Sequence, residues 1–416
     1  LTQYVVVHFG EISTRGRNKP YFVRRLQQNI VESVKHVCEL KTKILDSRLL
    51  LEVEAECVQE VLTRLSKTFG IAWFAEAEVL PLNYSEIRDH AISLLNDSKR
   101  AGSATFGVYA RRSNKNWEHT SMELASMLGK ETMATTGLKV DLTNPDVTLY
   151  VDVVRDAAIM YTSKVRGLRG LPVGVSGKVV HLLSGGVDSA VAAWLLMKRG
   201  CEPVNLHFYA ASSAEEVLSS KLPKVLKHLS QYSSKGDLLL FPFSPYLVST
   251  LEVSAVYEPV LFRYFMRTVA EKLALKIGAL AISTGDSLAQ VASQTLENLG
   301  VFDHESLLPV LRPLLTYDKQ EIIEMAKQIG FFDICASKYK DCCSMISTHP
   351  KTKVNKKELR QLSAEIGFEK LAEKVLELGS ALSYDRGTDV FKLQTLNEFF
   401  KKTGSQTRQS LGSSQE

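Results

Sequence analysis

Long apolar runs are missing from this 416-residue chain. No stretch approaches the roughly 18 residues that cross a bilayer, and the opening LTQYVVVHFG has neither the basic start nor the apolar length of a signal peptide. A soluble, cytoplasmic protein without membrane contact is expected. Cysteine is scarce: six residues with no CxxC pair do not make a disulfide framework and do not suggest a zinc site, which leaves catalysis as the use for any cysteine chemistry, including the adjacent Cys342 and Cys343. Neither sign of charge dominates. The 51 Lys and Arg against 46 Asp and Glu give a formal net charge of +5, which permits nucleic acid as a partner without demanding it. The Walker pattern GxxxxGK[ST], whose lysine reaches the β and γ phosphates, is also absent, so kinase-like or GTPase-like phosphoryl transfer is disfavoured. What the chain does have is 45% hydrophobic residues, enough for two or three cores when domains run about 100 to 200 residues.

The most informative stretch is HLLSGGVDSA, residues 181–190. Residues 178–183 read as a buried parallel strand, and AVAAWLLMK, 190–198, as a helix with an apolar face. A glycine-rich turn between them aims backbone N–H groups and the positive end of the helix dipole at one point, which suits an anion. The turn SGGVDS resembles the SGGxDS signature of the PP-loop ATP pyrophosphatases, enzymes that grip the pyrophosphate of ATP and pass AMP to a substrate. That resemblance implies ATP and Mg2+ as cofactors and no further metal centre. Ser184, Gly185, Gly186 and Ser189, with Leu182 and Leu183 leading in, would cradle the nucleotide, and Asp188 would hold the ion or orient the phosphates. The plainer reading is a Gly-Gly turn with Ser and Asp capping a helix.

Later segments repeat the design of loops at the carboxyl ends of strands. EPVNLHFYA puts His207 and Phe208 at a second strand tip, where backbone groups could read adenine and a ring could flank it; a buried strand-end histidine is the alternative. GALAISTGDSLAQVASQT reads as a strand, then Thr284, Gly285 and Asp286, then a helix carrying Gln290 and Gln294. LFRYFMRTVAEKLALK reads as an amphipathic helix with Arg263 and Arg267 one turn apart and facing the same side.

The front of the chain follows the order strand (4–9), helix (20–37), strands (43–46, 49–54), helix (58–67), strand (71–78), a ferredoxin-like βαββαβ unit. Its first loop gathers Arg15, Arg17, Lys19, Arg24 and Arg25, suited to phosphate contacts or simply to solvent. A second unit follows, with helices at 84–98 and 119–135 and strands at 104–110, 146–154 and 157–165. Two basic patches flank it, Arg111, Arg112 and Lys115, then Lys164, Arg166 and Arg169, with Trp117 available to stack on a base. This unit resembles a THUMP domain, an RNA-binding module, through GLKVDLTNPDVTLYVDV.

The order of all three parts resembles the tRNA 4-thiouridine synthetases, the ThiI family, over roughly residues 3–385 and through FGEISTRGRNKPYF, GLPVG, SGGVDS, TGDSLAQVASQT, RPLLTYDKQEII and DCCSMISTHPKTK. One departure is RGLRGLPVG, which replaces the family's glycine-proline-glycine run and bears on hinge stiffness rather than chemistry. The resemblance implies an α/β chain: ferredoxin-like and THUMP α+β domains at 1–78 and 79–168, then a Rossmann-like PP-loop ATP pyrophosphatase domain with a parallel sheet at 172–390, and a disordered polar tail at 391–416. It implies ATP-binding roles for Leu182, Leu183, Ser184, Gly185, Gly186, Ser189, His207, Phe208, Arg263, Gly285 and Gln294, and catalytic roles for Asp188, Lys319 and Cys343. Cys343 would carry sulfur, with Cys342 as its competitor and Lys338, Lys340, His349, Lys351 and Lys353 supplying the charge that lowers a thiol pKa. A buried, inert cysteine is the bland alternative.

Many relatives continue into a rhodanese domain with a second working cysteine, whereas this sequence ends in KKTGSQTRQSLGSSQE. A cysteine desulfurase or other persulfide donor is therefore expected in trans, with Cys335, Cys342, a partner thiol or a soluble reductant resolving the product, and the usual ground for a thiamine role is lost. The activity implied is ATP-dependent conversion of a uridine, the one at position eight of tRNA, to 4-thiouridine. Two rival readings stay open: another PP-loop RNA modifier that 2-thiolates or ligates lysine, and a non-catalytic tRNA-binding protein. A homodimer is allowed rather than required.

Overall fold

The computed structural model describes residues 2–233, 235–304, 306–337, 339, 342 and 354–401, and the chain divides into two compact units, Leu1–Pro172 and Val173–Glu416. Cys343, Lys338, Lys340, His349, Lys351, Lys353 and the tail beyond 401 lie outside the described residues.

The first unit runs β1 (Thr2–Phe9), α1 (Lys19–Val34), β2 (Lys41–Leu45), β3 (Arg48–Glu54), α2 (Val58–Leu65), β4 (Ile71–Leu80), α3 (Tyr84–Arg100), β5 (Thr105–Arg112), α4 (Ser121–Thr136), β6 (Lys139–Val140), β7 (Val147–Val153), β8 (Ala158–Tyr161) and β9 (Val165–Arg166). Helix α1 forms because Val23, Leu26, Ile30 and Val34 recur at helical spacing and bury one stripe against Val5, Val7 and the other inward residues of the sheet. A Thr120–Glu123 capping box starts α4, and Gly137, at φ 70°, stops it in the left-handed region. The long β4 joins both halves into one sheet, order β2-β3-β1-β4-β8-β7-β5-β6, by pairing antiparallel with β1 over its first part and with β8 through Glu78–Leu80.

The second unit runs β10 (Lys178–Leu182), α5 (Val187–Lys198), β11 (Glu202–Tyr209), α6 (Leu222–Leu229), β12 (Asp237–Pro242), α7 (Ser244–Ser249), α8 (Glu258–Ile277), β13 (Ala281–Ser283), α9 (Leu296–Asp303), β14 (Val310–Leu311), α10 (Lys319–Gln328), α11 (Phe332–Ala336), α12 (Lys356–Ile366), α13 (Phe368–Glu377), β15 (Ser380–Asp385) and β16 (Val390–Thr395). The sheet order is β14-β13-β10-β11-β12-β15-β16, parallel through β12 and antiparallel beyond it. Short apolar strands, with buried centres in β10, β12 and β13, are what helices on both faces of a parallel sheet require. The chain leaves β10 toward β11 on one side and returns to β13 on the other, so the crevice at the carboxyl end of β10 is the topological switch point.

Two expectations need correction. The tail expected to be disordered from 391 is ordered to 401: β16 pairs with β15 from Val390 to Thr395, because Phe391 packs on Tyr384 at 4.9 Å while Leu396 and Phe399 are buried in the core. The helix expected straight after Asp286 is instead an irregular loop with one short turn at Ala292–Gln294, and α9 begins at Leu296 under a Thr295 cap. Gln294 donates its side-chain amide to Asp286, which holds that loop in place without a helical ladder. No described helix is long and apolar enough to cross a membrane.

Candidate active site

From β10 the chain turns through SGGVDS into α5, with Gly186 as the helix N-cap. The two serines of the turn bond to each other: Ser189 Oγ accepts from the Ser184 amide at 3.0 Å and lies 3.0 Å from Ser184 Oγ, which in turn accepts from the Gly186 amide at 3.2 Å. The loop is thus shaped in advance, at the positive end of a 12-residue helix. Beneath it, burial pushes the His181 pKa down to about 4, so the ring is neutral, and its Nε2–H donates to Ser189 O at 2.8 Å.

Gly285, just past β13, presses onto this turn. A Cβ at that position would lie 2.7 Å from Ser189 N and 2.8 Å from Ser189 Cα, so the two loops meet backbone to backbone, a contact only glycine allows. The next residue, Asp286, is buried and serves as the hub of the far wall. Its Oδ2 accepts from Arg263 Nη2 at 2.6 Å, Thr284 Oγ1 at 2.7 Å and Arg312 Nε at 3.2 Å, and its Oδ1 accepts from Gln294 Nε2 at 3.1 Å. Burial alone would raise the Asp286 pKa; the Arg263 guanidinium, with Thr284 and Arg312, outweighs it and holds the carboxyl at about 2. Both guanidiniums lie over the Phe302 ring, at 5.3 and 5.5 Å.

On the near side, Asp188 Oδ1 accepts from Lys319 Nζ at 2.6 Å and Oδ2 from Gln290 Nε2 at 2.9 Å. Lys319 reaches there because the Asp318–Glu321 capping box starts α10 at that residue. His207 Nδ1 lies 2.8 Å from Leu183 O, an acceptor, so Nδ1 carries the hydrogen and Nε2 accepts from Tyr339 Oη at 2.9 Å.

One cavity gathers Leu182, Leu183, Ser184, Asp188, Ser189, His207, Phe208, Arg263, Gly285 and Gln294 from the residues singled out in the sequence. Lys319 stands at its rim through Asp188, and Gly185 and Gly186 belong to the turn without lining the cavity. The Phe208 ring points into the core, edge-on to Phe262 at 5.6 Å, so it does not lie free to flank a base. Arg267 does not join Arg263: it is buried, with Nη1 on His304 O at 2.9 Å and its guanidinium over Tyr264. Sequence reasoning missed Arg312, Phe302, Met266 and the lining role of Cys342, which is buried and donates its thiol to Phe208 O at 3.1 Å. Arg312 was visible within RPLLTYDK, but no spacing ties it to Asp286, 26 residues away.

In the first unit, Arg17, Arg24, Arg111, Lys115, Lys164, Arg166 and Arg169 are exposed. Arg15 pairs with Glu11 and lies over Phe22, and Lys19 lies over Phe9. Arg112 is spent on its own loop, within 3.2 to 3.4 Å of the Lys115, Trp117 and His119 carbonyls. Trp117 is a correction: half-buried, it packs on the core of its half and edge-on to His119 at 5.2 Å, because the loop folds inward around Arg112. Lys164 sits 3.4 Å from the Tyr150 ring centroid, and its pKa is lowered by burial and by Arg111.

A parallel sheet with a shaped SGGVDS turn at its switch point, behind ferredoxin-like and THUMP units, defines a PP-loop protein of the THUMP-bearing kind. The family model described as thiamine biosynthesis protein (ThiI) matches residues 174–368, that of the ThiI ferredoxin-like domain residues 4–75, and that of the THUMP domain residues 83–163. Named relatives agree. The chain is 34% identical over 395 residues to the "Probable tRNA sulfurtransferase" of Thermoanaerobacter sp. (strain X514), covering 94% of this chain and 98% of that one. It is 33% identical over 392 residues to the protein of the same name from Acetivibrio thermocellus, covering 93% and 100%. A crystal structure of a 4-thiouridine synthetase–RNA complex with bound ATP superposes with a TM-score of 0.83 at 30% identity, covering 92% of this chain and all of the other. The chain belongs to the ThiI family of tRNA sulfurtransferases.

Proposed function

We propose that this protein uses ATP to activate a uridine of tRNA, the one at position eight, and replaces its O4 with sulfur. The observation that carries the reading is the convergence on one cavity of the SGGVDS turn, Gly285 and the Asp286–Arg263–Arg312 hub, in a chain similar over nearly its whole length to tRNA sulfurtransferases. Ser184, Gly185, Gly186 and Ser189 hold the pyrophosphate end of ATP, with Lys319 beside the phosphates. Leu182, Leu183, His207 and Phe208 form the strand tips that receive the base, through their backbone, since both His207 nitrogens are engaged. Arg263, Gly285 and Gln294 complete the wall.

One carboxylate plus phosphate oxygens suits Mg2+, and Asp188 is that carboxylate; among the described residues no group of three or more His, Cys, Asp or Glu offers an all-protein metal site. Bound there, the ion would neutralise charge on the departing pyrophosphate. Uracil O4 is a poor leaving group, so it first bonds to the α-phosphorus of ATP as pyrophosphate leaves. The outer sulfur of a persulfide on Cys343 then bonds to C4 as AMP departs with O4. A second thiol (Cys335, Cys342, a partner thiol or a soluble reductant) attacks the Cys343 sulfur to break the S–S bond, leaving 4-thiouridine and a disulfide that an external thiol reduces. The sulfur comes from a cysteine desulfurase or a similar persulfide donor. The exposed arginines and lysines of the first unit contact tRNA phosphates, and the whole acts in the cytoplasm, with a homodimer as one available assembly. The test incubates tRNA transcript with the protein, ATP and a persulfide-loaded desulfurase, followed by nucleoside mass spectrometry. ATP-dependent 4-thiouridine is expected; 2-thiouridine, lysine-modified base or unmodified tRNA overturns the reading.

A further inference from the structure

The segment that follows α11 is fastened to the SGGVDS turn. Lys221 Nζ donates to Cys335 O at 2.6 Å and to Ser337 O at 2.9 Å, clamping the end of α11. Tyr339 then lies against the turn itself: a Cβ placed on Gly185 would fall 2.6 Å from Tyr339 Cδ1 and 3.3 Å from Cε1. The phenol hydroxyl donates to His207 Nε2 at 2.9 Å, and His207 holds Leu183 O, the carbonyl just ahead of the turn. Three residues further on, the buried Cys342 thiol donates to Phe208 O at 3.1 Å, at the tip of the neighbouring strand.

Gly185 belongs to the turn assigned to the phosphates, and the Tyr339 ring covers the side where a Cβ would stand, so the glycine is buried. A phosphate that draws on this backbone and the ring that covers it occupy adjoining space, so nucleotide occupancy and the docked position of Tyr339 bear on each other. Because Tyr339 and Cys342 are held by His207 and Phe208, adjacent residues at the tip of β11, moving the first disturbs the second. We propose that Tyr339 is a latch: nucleotide in the SGGVDS turn displaces it from Gly185 and His207, and its departure frees the Cys342 thiol for reaction. This rests on the proposed use of ATP at this turn. Nucleotide binding then precedes exposure of the Cys342 thiol. By linkage the latch opposes nucleotide binding, since part of the binding free energy goes to opening it. Tyr339 is accordingly a positioning residue and not a catalytic one.

The experiment follows alkylation of Cys342 by iodoacetamide, read by peptide mass spectrometry on the full chain, with and without the non-hydrolysable analogue α,β-methylene ATP. Analogue binding is measured in parallel by calorimetry, and Cys201, buried beside β10, reports any general loosening. The analogue is expected to speed Cys342 labelling about tenfold, the scale of one lost hydrogen bond. Tyr339→Ala should label fast without analogue, respond little to it, and bind it several-fold tighter. Tyr339→Phe keeps the ring, loses the hydroxyl and should fall between. A merely structural tyrosine would weaken nucleotide binding when removed, the opposite sign. Analogue that binds the wild type yet leaves Cys342 labelling unchanged overturns the latch and spares the ATP reading; failure of the wild type to bind overturns both.

Discussion

Lys319 donates to Asp188 across 2.6 Å, tying the first residue of α10 to the first turn of α5. The pair is partly exposed, with the lysine side chain 48% accessible, so it adds little to stability, roughly 0 to 1 kcal/mol. In the proposed reaction it holds an ammonium and a carboxylate beside the phosphates. Asp188→Asn and Lys319→Met are each expected to cut ATP-dependent pyrophosphate release by about a hundredfold or more, the scale of losing one preorganised charge at a reacting phosphate, with thermal unfolding almost unchanged. Unimpaired release in either variant would remove that residue from the chemistry.

Two glycines separate function from folding. At Gly285 an added Cβ meets Ser189 N, Ser189 Cα and Asp188 C at 2.7 to 2.9 Å, all backbone, so Gly285→Ala should destabilise the second unit by about 1 to 3 kcal/mol, as overpacking does. At Gly186, with φ −85°, an added Cβ meets Ser184 Oγ at 3.3 Å, so Gly186→Ala should fold normally. Gly186→Val, with branches standing over the turn, should fold and fail to bind nucleotide. Urea unfolding with calorimetric ATP titration distinguishes these cases; loss of folding at Gly186→Ala would refute the steric account.

Much of the site was legible because it is local. SGGVDS carries its strand, turn and helix within some twenty residues, and each element follows from apolar patterning. What escaped was long-range: Arg312 meets Asp286 from 26 residues away, Tyr339 meets His207 from 132, and nothing in their spacing announces either. The misread helix after Asp286 shows the converse. SLAQVASQ has helical composition, yet tertiary bonds from Gln290 to Asp188 and from Gln294 to Asp286 hold the chain open. At the tail, polar composition from 401 onward masked Phe391, Leu396 and Phe399, whose burial orders β16 and the residues behind it.

The Asp286 hub predicts an acid limit. Its folded pKa of about 2 lies below the ordinary value of 3.8, so its contribution is present above pH 4 and is lost as pH falls from about 4 toward 2. Asp286→Asn removes the charge shared by the partly buried Arg263 and Arg312, the second of which keeps Asp303 at 2.6 and 2.9 Å, and should cost about 1.5 to 3 kcal/mol at neutral pH, the scale of a hydrogen bond to a charged group. The acid dependence should shrink in the variant by roughly 2 kcal/mol. Urea midpoints from pH 2 to 7 for both proteins test this, and equal pH slopes would show that other carboxylates set the limit.

For RNA, the structure divides the arginines. Arg17, Arg24 and Arg111 are exposed, whereas Arg112 spends its guanidinium on the loop from Lys115 to His119. Charge reversal at the first three should weaken tRNA binding and lower the slope of log K against log salt by about 0.7 to 0.9 for each phosphate no longer neutralised. Arg112→Ala should instead loosen the loop and leave that slope unchanged. Filter binding from low to moderate salt reads both, and an unaltered slope after all three reversals would place the RNA surface elsewhere.

The thiols give the last prediction. Cys335 is buried at the end of α11, and burial pushes its pKa up to about 11, with Lys221 only partly offsetting that, so as it sits it is a poor nucleophile. Cys342 is buried at the cavity wall on the Phe208 carbonyl, while Cys343 is the position the family resemblance gives to the sulfur carrier. Adjacent cysteines bridge poorly, because the small ring strains disulfide geometry. Cys343→Ser should therefore abolish sulfur transfer and leave pyrophosphate release intact, since activation of the uridine comes first. Cys342→Ser and Cys335→Ser should keep the first turnover, and the variant missing the resolving thiol should stall on the second when no external reductant is supplied. Single-turnover assays with persulfide-loaded desulfurase and with sulfide as donors separate the steps. Full desulfurase-dependent activity in Cys343→Ser, with loss in Cys342→Ser, would move the sulfur carrier one residue back, onto the thiol that lines the cavity.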